Sequence, residues 1–92
     1  MSVQTETQAR TPAPLGLVRR GFRGHIHTIE VAHGSGLAAE ELERRLIELG
    51  FTEGASVEVL HEGALGRDPI AVRVNAATVA LRRREAMAIM VV

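Results

Sequence analysis

The chain contains no cysteine, no lysine, no tryptophan and no tyrosine. Without cysteine there is no disulfide, no thiolate metal site and no sulfur nucleophile. Without lysine there is no Schiff-base chemistry and no side chain for the lysine position of a phosphate-binding loop. Aromatic residues make up 2% of the chain, Phe22 and Phe51 alone. A groove for proline-rich peptides needs an aromatic lining, and RNA recognition by a barrel needs stacking rings and a basic field. Both modes are therefore disfavoured, and no nucleic-acid partner is expected. No apolar run approaches a membrane span and no signal-peptide core opens the sequence. The expectation is a cytoplasmic protein that meets a membrane only through a partner.

What is present is an aliphatic sequence, 46% apolar over 92 residues. That suffices for one domain with a modest core, and leaves no room for a large buried catalytic cavity. Formal net charge is zero, yet it is unevenly spread. Residues 1–23 carry four arginines against Glu6, residues 24–66 two arginines against eight glutamates, and residues 67–92 five arginines against Asp68 and Glu85. A dipolar surface of this kind suits a protein partner better than a polyanion.

The best-specified stretch is Glu40–Val59. Leu42, Leu46 and Leu49, with Ala38 and Ala39 beside them, form one apolar helical stripe. Glu40 with Arg44 and Glu41 with Arg45 are i,i+4 pairs on the polar side. Ser35 is a candidate N-cap. Gly50 can close the helix in a left-handed conformation, placing Phe51 against Leu46 as in a Schellman motif. Gly54 allows a second sharp turn before a strand over Ser56–Glu62.

Residues 1–14, polar and ending in two prolines, read as a disordered tail, with the domain spanning 15–92. The first strand is Gly24–Val31, where Ile26 and Ile29 are out of phase, which predicts a bulge or an end of barrel curvature. Pro69 opens a third strand in which Ile70, Val72 and Val74 face inward. Asn75 is the residue best able to take positive φ in the tight connection Asn75–Ala77. A strand over Thr78–Arg82, a helical turn over Arg83–Met87 and a closing strand over Ala88–Val92 complete the chain. The pattern is mainly β: about five strands, closed into a small barrel, with one amphipathic helix inserted after the first strand.

Few side-chain groups carry chemistry. His25 and His27 lie on one strand face, with His33 one loop away and His61 elsewhere. Imidazole suits Fe²⁺ or Zn²⁺, but a physiological site usually holds three or more ligands of fixed geometry, so no metal or cofactor is expected. The loop Gly63–Asp68 lacks the phosphate-loop spacing, and Ser2, Ser35 and Ser56 lack a nucleophile-elbow context. Arg82, Arg83 and Arg84, with Arg67 and Arg73, form a basic patch that reads either as a solvated strand end or as a docking surface. Ile47, off the buried stripe, and Leu65, on its loop, are candidate apolar contacts for a partner.

The pieces Leu15-x-x-Val18-x-x-Gly21, Arg45-Leu46-x-x-Leu49-Gly50-Phe51-x-x-Gly54, Gly66-x-Asp68-Pro69-Ile70 and Ala80-Leu81-Arg82 with Glu85-Ala86, in this order and spacing, resemble the FeoA family of ferrous iron transport A proteins. The resemblance runs from Leu15 to Val92, and it implies that Arg82, within the Ala80-Leu81-Arg82 piece, ties down the Gly66–Pro69 loop through Asp68. It implies an SH3-like β-barrel, similar to the one that ends DtxR-type repressors. It also implies a non-enzymatic, cytoplasmic bacterial accessory to ferrous iron uptake that binds the membrane transporter FeoB. Glu53, Ala64, Leu65 and Ala76 stand where family members often carry proline or glycine, which bears on loop shape and partner fit. Two other functions stay open from the residues alone: a small Fe/Zn-binding protein using surface histidines, and a general SH3-like interaction adaptor. Self-association through an open strand edge also stays open.

Overall fold

The computed structural model describes residues 11–31 and 38–92. Six strands form one sheet: β1 (Ala13–Pro14), β2 (Arg23–Ile29), β3 (Ser56–Glu62), β4 (Ile70–Val74), β5 (Ala77–Leu81) and β6 (Ile89–Val91). A 3-10 turn (Leu15–Leu17), helix α1 (Ala39–Glu48) and a short helix α2 (Arg83–Ala86) complete the described elements. Strand order is β1-β6-β2-β3-β4-β5, and every pairing is antiparallel.

β2 is the strand at which the sheet turns its corner. Its first half, Arg23–His25, pairs with β3, and its second half, Ile26–Ile29, pairs with β6. The register shifts between Ile26 and Thr28, so of the two readings of the Ile26–Ile29 phase change the structure shows the bulge. An added residue in one strand bends it and sharpens its twist. Gly24 makes the corner feasible: a Cβ there would stand 2.2 Å from the carbonyl oxygen of Val92. His25 and Val92 exchange backbone hydrogen bonds of 2.9 and 3.0 Å at this crossing.

The helix stop is built as the sequence predicts. Gly50 takes φ 108°, its N–H donates to the Ile47 carbonyl at 3.0 Å, and the Phe51 N–H donates to the Leu46 carbonyl at 3.0 Å. These are the two bonds of a Schellman motif. Phe51 and Leu46 are both fully buried. The core joins Leu42 and Leu46 of α1 to alternate residues of the strands, such as Val57, Val59, Val72 and Val74. All buried side chains among the described residues are apolar.

Four features differ from expectation. The sheet is not closed into a barrel, because β1 and β5 end the strand order and do not pair. There are six strands, since Ala13 and Pro14, predicted as tail, pair with Val91 and Met90. Proline signals disorder locally, yet an edge strand tolerates its missing donor. The last hairpin connection is two residues, Asn75 (φ 53°) and Ala76, with β5 starting at Ala77. Arg45 pairs with Glu85 of α2 rather than with Glu41, so it ties two helices together instead of solvating one. The proposed cap Ser35 and His33 lie outside the described residues; the N-cap position is Ala38, with no side-chain cap.

Candidate interaction surface

Where β3 runs into the 63–69 loop, three irregular segments meet, and an irregular backbone leaves carbonyls without ladder partners. Arg83, the first residue of α2, answers them. Its Nη1 donates to the carbonyls of Gly16 and Val18, each at 2.9 Å, and its Nε to the carbonyl of Arg67 at 2.8 Å. Its Nη2 pairs with Glu62 Oε2 at 2.7 Å, and its backbone N–H donates to Asp68 Oδ1 at 2.8 Å. Only the planar guanidinium fork presents several donors in fixed directions, so lysine could not do this. Gly16 lets the turn approach, since a Cβ there would stand 2.5 Å from the Arg83 carbonyl oxygen and 2.8 Å from Met87 Sδ. Glu85 accepts from the Arg82 N–H at 3.1 Å, securing the start of α2.

The three segments that Arg83 joins each present an apolar side chain to solvent: Leu17 is 67% exposed, Leu65 87% and Met87 41%. Arg19, Arg20 and Arg67 line a shallow cleft of about 200 Å³ over Glu62. Among the described residues, ion pairs involve Arg23, Arg45 and Arg83. Arg19, Arg20, Arg67, Arg82 and Arg84 are exposed and outside those pairs. The result is an apolar-studded, basic surface that can take an acidic, partly apolar partner.

Of the predicted contacts, Leu65 and Arg67 share the loop that Arg83 holds, and Arg82 and Arg84 flank Arg83 in the chain. Arg83 itself is half-buried and spends its donors internally. The tie to Asp68 is made by the Arg83 N–H rather than by Arg82. Ile47, 46% exposed, lines a separate cleft on α1 with Glu40, Glu43, Arg44 and Glu48. Leu17, Met87, Arg19 and Arg20 are surface members that sequence patterning does not single out. The one available signal is Leu17 two positions after core Leu15 and just before an arginine pair.

A further cleft among the described residues, about 600 Å³, is open and lined by Phe22, Arg23, His25, Glu58, Arg73 and Asn75 among others. Arg23 and Glu58 pair across it at 3.4 Å. His27 does not line it; the β2 register shift falls between Ile26 and Thr28. Among the described residues no three metal-ligating side chains converge. No described helix is long and apolar enough to cross a membrane.

A bent antiparallel sheet with one packed helix and an apolar interior defines the class: a small SH3-like β domain. The chain belongs to the FeoA family, whose domain model matches residues 13–92. FeoA from Chlorobium tepidum is 32% identical, with 85% of this chain and 67% of that one covered and a TM-score of 0.69. FeoA from Stenotrophomonas maltophilia, solved with zinc and described as a procaryotic SH3 domain protein, is 28% identical over 89% of each chain, with a TM-score of 0.70. A manganese-dependent transcriptional repressor is 27% identical with a TM-score of 0.72; the match covers 90% of this chain and 43% of that one. No curated protein matches the chain by sequence. The family connects the chain with ferrous iron transport as an accessory protein with an SH3-like domain.

Proposed function

We propose that this protein is a non-enzymatic, cytoplasmic accessory factor of ferrous iron uptake that binds the cytoplasmic domains of a FeoB-type transporter and modulates its activity. The family match across residues 13–92 carries this reading. The Stenotrophomonas maltophilia relative has itself been put forward as a ferrous iron transport activating factor. The surface around Arg83 supplies a physical means: Leu65 as apolar anchor, Arg67, Arg82 and Arg84 as its basic rim, and Arg83 as the residue that holds the segments in place. Ile47 provides a second, smaller contact from α1. Arginine is enriched at interface hot spots, and an exposed leucine beside it adds apolar area that a partner can cover.

Calorimetry of the full chain against the transporter's cytoplasmic domains, nucleotide-free and with GDP or GTP, tests it. Binding is expected in at least one state, weakened about tenfold or more by Leu65→Glu. Silence in all three states rejects the proposal.

A further inference from the structure

The two edges of the sheet are protected very differently. β1 is two residues long and ends in Pro14, which cannot donate. β5, at the other edge, has the sequence Ala77-Thr-Val-Ala-Leu81, without a charge or a proline, and pairs with β4 over five positions with no register shift. Natural edges are blunted by charge, proline, bulges or cover. Among the described residues β5 shows none of the first three, and its residues bond to no strand but β4.

The register says which groups are free. A two-residue connection makes Val74 and Ala77 a bonded pair, and alternation then makes Val72–Val79 and Ile70–Leu81 bonded pairs as well. The backbone groups of Thr78 and Ala80 therefore point away from β4. In agreement, β4's intervening positions serve β3, and the Asn75 N–H donates to the Ser56 carbonyl at 3.0 Å. Ala77, Thr78 and Ala80 are exposed and small, so another backbone can approach closely.

We propose that two copies of this chain pair through β5, antiparallel about a two-fold axis, with Thr78 of each copy opposite Ala80 of the other. Identical antiparallel strands are self-complementary under two-fold symmetry. This register satisfies both outward residues of both copies with four backbone hydrogen bonds. It sets Arg82 opposite uncharged Ala76, so no like charges face each other. An edge of alanine and threonine offers no side chain that would select a foreign sequence, which favours a second copy as occupant. The ladder ends at Arg82, whose N–H goes to Glu85 and whose carbonyl accepts from Ala86 within its own chain. The dimer is thus short and concentration-dependent. It rests on β5 alone and stands or falls apart from transporter binding.

Sedimentation equilibrium of the full chain over a wide concentration range should show monomer and dimer in exchange. Thr78→Pro deletes an outward donor without touching the β4 ladder, and should weaken dimerisation about tenfold or more. Ala80→Lys, which places two charges at the seam, should do the same. Circular dichroism confirms that each variant is folded. Val79→Cys adds the only thiol; at a non-bonded pair on the axis the Cα atoms stand about 4.5 Å apart, within disulfide reach, so oxidation should link two copies. A monomer at every concentration, or a dimer indifferent to both Thr78→Pro and Ala80→Lys, overturns the proposal.

Discussion

At the junction of the Leu15–Val18 turn, the 63–69 loop and α2, the backbone is irregular and one side chain satisfies it. Arg83 donates to three carbonyls and a carboxylate there. Along the β4–β5 hairpin the backbone is regular over all five pairs, yet its outer row of groups faces away from the sheet. The first region obtains its order from a long side chain drawn from far along the sequence. The second obtains it from alternation and a two-residue turn, and the same regularity leaves a free template. Stability and the proposed self-pairing are thus lodged in different places, and substitutions should separate them.

The largest effect is expected from Arg83→Ala. It strands the carbonyls of Gly16, Val18 and Arg67 and leaves Glu62 without its cation. The Arg83 side chain is 19% exposed, so water offsets part of the loss. A destabilisation of about 2–3 kcal/mol, or a Tm lower by on the order of 10 °C or more, should appear in thermal unfolding. Arg83→Lys should recover only a minor part, because an ammonium cannot reach the same acceptors together. A wild-type Tm for Arg83→Ala would dissolve the distinction between the two regions.

Next in size is Gly16→Ala, whose Cβ would meet backbone at 2.5 Å, a contact that can be relieved only by moving the turn or α2. About 1–3 kcal/mol is expected, measured by urea unfolding. A neutral result would mean that the turn is not held against α2.

The smallest effect, of opposite sign, belongs to Arg67→Gly. Arg67 sits at φ 60°, a conformation unfavourable for a side chain with a Cβ, while its carbonyl alone serves Arg83. Glycine relieves that strain against a cost in chain entropy, for a net gain of about 0.5 kcal/mol. The same variant should weaken the proposed transporter binding, so a rise in Tm with a fall in affinity would separate fold from recognition within one residue.

Much of the fold was legible because its causes are local. The apolar stripe of α1, the Gly50–Phe51 stop, the β2 bulge and the positive φ of Asn75 each depend on residues a few positions apart. Periodicity and turn chemistry report such things directly. The arginine run was legible only as charge. Arg82, Arg83 and Arg84 look alike in sequence, and nothing local says that the middle one turns inward while its neighbours stay exposed. Leu17 and Met87 carry no local mark for the same reason: exposure is a property of the assembled surface.

Neighbour-to-neighbour chemistry was enough to set the helix with its stop, the strand faces and the aliphatic character of the interior. Assembly was needed to decide that Arg83 reaches the Gly16 carbonyl across 67 positions, that Ala13–Pro14 joins the sheet, and that β5 is left at an open edge. The reason is one of range. Backbone preference and side-chain alternation act within a turn or a strand, whereas a buried donor or an unpaired edge exists only once distant segments have been brought together.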